Sequence, residues 1–416
     1  MKTRRWLLLL SLVAPLLGVR LRAAAEPERQ DLFGATDRYL TCRIPGLIVT
    51  PKGAMLAYCE GRRGSRSDWA DIDILIRRST DGGKTWSPAR DFIKLPDPQP
   101  RNPLRMDLKA EMGAEQLTSR TYHNCIMIPD RQTGAVHCLF CLDYWRCFYM
   151  RSDDDGATFS APREITDVIA GYRAQGVKWR VVGNGCGNGI QLASGRLVEA
   201  LWLSDSTQVK GGGHRPGNVG VIYSDDHGAT WKIGGWVMKN SAELPNPSET
   251  CEVELSDGRV LFNTRVEGKH YQRVTTVAAD VAGSWSEPKF EPALFEPWCE
   301  ASLLRISGSP DKNRILFCNP DSEHSPVEAH AGIGGKSRAR RNLTIKISYD
   351  DCQTWPVSKV IDPGVAGYSD MAIGPDGTIF CLFEHGTTTG SQTANAAVTL
   401  ERFDLGWLTD GKDRLR

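Results

Sequence analysis

An eight-residue frame, S-x-D-x-G-x-T-W/F, recurs along this chain and narrows its fold more than any other feature. It reads STDGGKTW at 79–86, SDDDGATF at 152–159, SDDHGATW at 224–231 and SYDDCQTW at 348–355. A weaker copy, AADVAGSW at 278–285, keeps only the Asp, a hydroxyl and the Trp. Successive copies start 73, 72, 54 and 70 residues apart. Repeats at such a period mean one supersecondary unit used several times, as in a propeller or a solenoid. Within the frame, Asp-x-Gly is turn chemistry: the carboxylate bonds backbone N–H groups ahead of it, and Gly accepts a positive φ. The closing aromatic ring pins the turn to a sheet. Each box is therefore a rigid hairpin corner, and its Asp is occupied by its own turn.

Between the boxes lie short apolar runs bounded by Gly, Pro, Asp and Asn. DIDILIRRS, AVHCLFCLDYW, RLVEALWL, VGVIYS, RVLFNTR, RILFCN, LTIKIS and GTIFCLFE all have strand length and β-branched content. Helical periods are nearly absent. The pattern predicts an all-β chain, a six-bladed β-propeller of antiparallel four-stranded blades. Six units after residue 38 have about 63 residues each, near the observed period. The last strand-like run, 396–403, is placed to complete a blade with the N-terminal strand and so close the ring. The predicted organisation is an export signal at 1–25, a lead-in at 26–37, the propeller at 38–404 and a tail at 405–416.

The export signal rests on Lys2, Arg4 and Arg5 before an apolar run, with Ala23, Ala24 and Ala25 for cleavage. The run is short for a membrane span, and an uncleaved anchor is the alternative. Adjacent Arg4 and Arg5 alone say little about a twin-arginine route. Export places the chain outside the cell or in a periplasm and permits disulfides among its 12 cysteines. Most of these sit in apolar strand-like runs, where Cys acts as a small buried hydrophobe. Pairing stays open, with Cys138 or Cys141 to Cys147 as one option. Cys138 and Cys141 have a zinc-like spacing, but no second pair matches it. A formal net charge of +1 and scattered Arg and Lys argue against nucleic-acid binding. GNGCGNG at 183–189 lacks a Lys and a following helix, so it reads as tight turns and not as a phosphate loop.

Long polar inserts at 95–121, 204–218 and 321–341 break the strands and are placed to shape a pocket over one end of the channel. Three arginines stand at strand positions on separate repeats: Arg43 in TCRIPG, Arg265 in LFNTR, and Arg340 or Arg341 in ARRNLTIKIS. Three such residues could converge only at the axis, where they would call for an anion, most simply a carboxylate. Glu249 in PSETCEVEL, Tyr368 in AGYSDM and Asp68 in the 61–73 loop complete a set of acids and a phenol. Taken singly, each has an ordinary surface or turn reading.

Together these residues resemble a known family. RIP at 43–45, AYCEGRR at 57–63, the Asp boxes, ELSDGRVLFNTR at 254–265, RNLTIKISYDDCQTWPVSKV at 341–360 and GYSD at 367–370 resemble the exo-α-sialidases (neuraminidases) with Asp-box repeats. The resemblance covers about 38–403 and implies a six-bladed propeller. It implies Arg43, Arg265 and Arg340 as a triad gripping a sialic acid carboxylate. Strict strand alternation would favour Arg341 for the third place. It further implies Asp68 as acid/base, Tyr368 as nucleophile and Glu249 as its partner. Glu252 is a second choice for that partner, but it lies on the other face of a regular strand. Arg62 would contact substrate, and Glu384 would orient Arg43. No cofactor and no metal are implied. The implied partners are sialylated glycans, without nucleic acid or a stable membrane span. The competing readings are a trans-sialidase, a hydrolase for a related nonulosonic acid, and a non-catalytic glycan-binding propeller. Cys352 replaces Gly in the fourth full box, and Asn342 heads a glycosylation sequon on a predicted strand where use is not expected.

Overall fold

The computed structural model describes residues 26–415 except 97, 106–119, 186, 209–212, 308–311, 324–338 and 390–391, and the side chains of 387–395. The predicted export signal lies outside the described residues. The chain is all-β. Its antiparallel strands form five sheets among the described residues.

Four of the sheets are separate propeller blades, taken in chain order. The first runs Thr41–Val49, Met55–Arg63, Asp71–Ser79 and Arg90–Asp91. The second runs Tyr122–Pro129, Val136–Leu142, Arg146–Ser152 and Arg163–Glu164. The third is built on Val181–Asn184, Leu197–Gln208, Arg215–Ser224 and Lys232–Met238. The fourth is built on Thr250–Glu254, Val260–Thr264, Gln272–Asp280 and Ser284–Trp285. The fifth sheet has seven strands and contains the 17-residue strand Val357–Ile373. The first half of that strand pairs with Arg341–Ser348 and its second half with Ile379–Thr389.

Neighbouring sheets pack face to face, so second strands are buried on both sides. All seven residues of VHCLFCL in Val136–Leu142 are buried. This explains a continuous apolar run where a one-sided sheet would alternate. Ile48, Leu56, Tyr58 and Ile76 of the first blade pack with Met127, Cys138, Phe140 and Met150 of the second. The third and fourth blades share a similar core through Val198, Trp202, Phe262 and Val274. All eleven described cysteines are buried.

The recurring box folds to one geometry. In the copy at 224–231, Asp226 accepts from Thr230 N at 2.8 Å and Thr230 Oγ1 at 2.6 Å, and Gly228 N donates to Ser224 Oγ at 2.9 Å. The copies at 79–86, 152–159 and 348–355 repeat these bonds within 0.1 Å. The Gly position has φ of 78°, 77° and 81° at Gly83, Gly156 and Gly228. Cys352 holds the same turn at φ 68°, a left-handed conformation that disfavours side chains. Its thiol packs against Val253, Leu255, Leu261 and Ile315. In the weak copy, the Asp280 carboxylate accepts from Ala282 N and from Arg196, without the Thr bonds of the full boxes.

Two segments differ from their sequence assignment. Glu28–Gly34, inside the predicted lead-in, is a strand paired with Gln392–Phe403. The residues after Phe403, expected as a tail, form the short helix Leu405–Leu408 and then return to the sheet. There Asp413 accepts two bonds of 2.7 Å from the buried guanidinium of Arg314. An unpaired charge at Arg314 would be costly, and the last residues supply its partner.

If the box Asp is what holds each corner, Asp226→Ala lowers stability by about 1–2 kcal/mol in chemical unfolding. Asp280→Ala, with one backbone bond and an exposed ion pair, costs clearly less. Equal losses would contradict the geometry.

Candidate active site

At one end of the axis a cavity of about 200 Å³ is lined by Arg43, Arg62, Asp68, Glu249, Arg265, Arg340 and Tyr368. The structure thus brings seven of the eight predicted site residues to one surface. The eighth, Glu384, lies immediately behind Arg43.

Arg43 enters from Thr41–Val49, where the ladder shifts register between Arg43 and Gly46. Pro45 has no N–H to give the ladder. Ile44 takes φ 55°, and a Cβ at Gly46 would meet the Tyr58 ring at 2.1 Å. A bulge of this kind re-aims a side chain at a sheet edge. The buried Glu384 carboxylate accepts from Arg43 Nε at 3.0 Å, Ile44 N at 3.1 Å and Tyr368 N at 3.3 Å. Burial pushes that carboxyl up, but Arg43 and Arg340 together hold it below the usual range.

Arg265 follows the strand Val260–Thr264. It donates to Glu249 at 2.5 Å, to Tyr368 Oη at 3.3 Å and to Glu267 at 3.1 Å. The Tyr368 hydroxyl itself donates to Glu249. The guanidinium groups of Arg43 and Arg340 lie 5.3 and 5.1 Å from the Tyr368 ring centroid. Arg340 donates to the Trp298 carbonyl at 2.7 Å. Arg341 does not line the cavity. Asn342 at φ 56° and the register shift beside it interrupt the alternation that would have favoured Arg341.

Asp68 stands across the cavity on the loop after Met55–Arg63, with 45% of its side chain exposed. Arg62 donates to it at 2.7 Å, and Arg43 lies 3.7 Å away. Partial desolvation pushes the Asp68 carboxyl up. The two guanidinium groups more than offset this and hold it well below the usual carboxylate range. Arg62 is buried, 1% exposed, and also donates to Glu60 at 2.8 Å. Its charge therefore comes with two carboxylates, as a buried cation requires.

Glu252 faces away, as alternation from Glu249's side requires. Its buried carboxyl accepts from Ala200 N at 3.2 Å, and that of Glu199 accepts from Gly185 N at 3.1 Å. Burial pushes both carboxyls well above the usual range, and the charge of Glu252 pushes Glu199 further.

Sequence reasoning missed part of the wall. Glu60 could have been found, because alternation puts it on the same strand face as Arg62. His214 and Arg215 fall in the insert at 204–218 that was read as pocket-forming. Arg215 donates twice to Glu267 at 2.8 Å, and Glu267 in turn braces Arg265. Tyr144 and Trp202 reach the cavity from a hairpin turn and a blade strand, and nothing in their sequence context marks them. His214 packs between them, tilted against Tyr144 at 4.8 Å and edge-on to Trp202 at 5.2 Å between ring centroids.

Residues 53–381 match the family model of the BNR repeat-like domain. The chain belongs to the BNR repeat-like domain family. It is 30% identical to the sialidase of Micromonospora viridifaciens over 94% of its own length and 56% of that protein. It is 28% identical to the sialidase of Bacteroides fragilis over 84% of its length and 60% of that protein. The chain thus spans less than two thirds of either relative. Among solved structures it resembles the Hadza microbial sialidase Hz136, with a TM-score of 0.67 and 25% identity over 89% of this chain and 67% of that one.

The Glu199–Glu252 pair yields a pH test. Folded pKa values raised above an unfolded value of about 4.3 mean stability that is full below that pH and lost as pH rises through the folded values. Glu252→Gln removes one of the two buried carboxyls, so its stability relative to the parent rises from pH 4 to pH 8 in thermal unfolding. A constant difference across that range would overturn the assignment.

Proposed function

We propose that the protein is an exo-α-sialidase that hydrolyses terminal, α-ketosidically linked sialic acids of glycoproteins, glycolipids or oligosaccharides with retention. One observation carries this reading. A tyrosine hydroxyl bonded to a carboxylate lies among three guanidinium groups, with a second carboxylate across the cavity.

Sialic acid bears its carboxylate directly on the anomeric carbon. Arg43, Arg265 and Arg340 supply charge and N–H donors for that carboxylate. A carboxylate nucleophile would approach it against like-charge repulsion. Tyr368 is neutral until it attacks, and Glu249 accepts its proton as attack proceeds. A tyrosine nucleophile is the exception that sialidases make to the usual two-carboxylate pattern. Asp68 protonates the leaving oxygen, then deprotonates the water that resolves the tyrosyl-linked sugar. Two displacements at the anomeric carbon give net retention.

The seven-stranded sheet is taken as two blades that share Val357–Ile373, giving six in all. The packing of inner strands supports this. Thr41–Val49 lies between Tyr122–Pro129 and Val357–Ile373, and Ser302–Ser307 lies between Thr250–Glu254 and Val357–Ile373. The propeller at 38–404 is extended by Glu28–Gly34. Export after cleavage at 1–25 would bring the enzyme to extracellular glycans. Among the described residues no helix is long and apolar enough to cross a membrane.

The deciding experiment is turnover of a fluorogenic α-sialoside by the purified protein, with NMR of the first-formed anomer. Turnover that yields the α-anomer and collapses in Tyr368→Phe supports the reading. No turnover in folded protein would sink it. Asp68→Ala should lose about 10²–10⁴ in kcat/KM on natural sialosides, the usual worth of a general acid. It should lose far less on aryl sialosides, whose leaving group needs little protonation. Arg340→Ala should weaken kcat/KM by about 10–100-fold, as expected for one charged hydrogen bond. Arg341→Ala should stay near the parent.

A further inference from the structure

Cys141 and Cys147 stand directly opposite each other on the hairpin of Val136–Leu142 and Arg146–Ser152. The Cys147 N–H donates to Thr166 Oγ1 at 3.0 Å, and the Cys147 carbonyl accepts from Ile165 N at 2.8 Å. Neither group turns toward Cys141. The two residues are therefore a non-hydrogen-bonded pair, the kind in which Cα atoms approach to about 4.5 Å and side chains lie closest. That separation falls within the roughly 4.4–6.8 Å that a disulfide spans. The two Sγ atoms are 3.1 Å apart.

The other sulfur pairs lack this register. Cys125 and Cys138 have Sγ atoms 3.6 Å apart, but Cys138 stands opposite Met127, and Cys125 sits in a bulge. Cys318 and Cys381 are 3.9 Å apart on strands that are not neighbours.

We infer that Cys141 and Cys147 are joined by a disulfide when the protein folds in an oxidising compartment. The oxidant is a small-molecule or protein disulfide. One cysteine thiolate attacks it and releases a first thiol, leaving a mixed disulfide. The second thiolate then attacks the cysteine sulfur and releases the second thiol. The pair loses two protons and two electrons, and the oxidant is reduced to two thiols. Both cysteines are buried in the folded protein, so the bond closes before the hairpin is covered.

The bond has a structural consequence. The turn between the two strands places Asp143 at φ 53° and Tyr144 at φ 50°. Successive positive φ values match hairpin twist but disfavour residues other than Gly, Asn and Asp. Asp143 accepts from Arg105 at 3.1 Å and from Thr121 N at 3.2 Å. Tyr144 lines the cavity and stacks on His123 at 3.5 Å between ring centroids. A covalent tie just behind the turn holds this strained pair in place.

The test is a thiol count on full-length protein refolded in a glutathione–glutathione disulfide buffer, then denatured and alkylated without reductant. Ten of the 12 cysteines should be alkylated, with the remaining two recovered as one linked peptide containing Cys141 and Cys147. Reductant should free both and lower the melting temperature. The Cys141→Ala/Cys147→Ala variant should melt at the same temperature with and without reductant. Alkylation of all 12, or a link between any other two cysteines, overturns the inference.

Discussion

The carboxylate of Glu384 is the interaction on which the site and the closure of the fold both depend. It belongs to Ile379–Thr389, yet its partners Arg43 and Ile44 lie 341 and 340 residues away on the first blade. Its third donor is the backbone N–H of Tyr368. One buried anion therefore fixes the first inner strand, the last inner strand, an arginine and a tyrosine relative to each other. Alone it would be a costly charge in a dry interior. Arg43 and Arg340 make its ionised form the favoured one. Without Glu384, Arg43 would lose its bidentate partner, and two buried N–H groups would have no acceptor, each costing about 1–3 kcal/mol.

Repetition and asymmetry divide the labour in this chain. The boxes sit at the outer corners, and their four full copies share one set of bonds, so they define a blade without defining a site. The axis is where the copies differ. There the inner strands bend, through positive φ at Ile44 and Asn124 and through the register shifts beside Arg43 and His123; Asn342, also at positive φ, bends the start of Arg341–Ser348. Strain of this kind persists only where surrounding structure over-determines it. The propeller supplies that structure, because every inner strand is hydrogen-bonded to a buried second strand behind it.

This division also explains what the sequence could tell. The boxes and the β-branched runs made the all-β repeat architecture legible, since turn chemistry and strand pattern are local. Arg43, Arg265 and Tyr368 were legible because each lies in a distinctive short motif. The choice between Arg340 and Arg341 was not settled by period, because one left-handed residue, Asn342, breaks the alternation. Tyr144, Trp202 and Glu267 were silent for a different reason: they reach the cavity from a hairpin turn, a regular blade strand and a loop, and which of their side chains meets the axis depends on neighbouring blades. The closing pairing of the run 396–403 with an N-terminal strand was legible, but that strand is Glu28–Gly34, inside the segment assigned as lead-in, because its polar first half carries no strand signal. The docked C-terminus was missed because the buried guanidinium it satisfies, Arg314, is about 100 residues away.

On the proposed mechanism, the electrostatics of Asp68 would connect substrate binding to catalysis. Arg62 and Arg43 hold this carboxyl ionised, which is the wrong state for the proton donor proposed above. A substrate carboxylate entering the triad would compete for the charge of Arg43, which lies 3.7 Å from Asp68. It would also bring a second negative charge toward Asp68 and exclude water. All three effects raise the pKa of the carboxyl. Substrate binding would thus take up a proton at Asp68, and by linkage binding would tighten as pH falls through the pKa of the complex. Arg62, buried between Glu60 and Asp68, limits how far that rise goes. It would leave the residue able to return to the ionised form that the proposed second step requires. The proton needed for the first step would then arrive with the substrate rather than being stored in the empty enzyme.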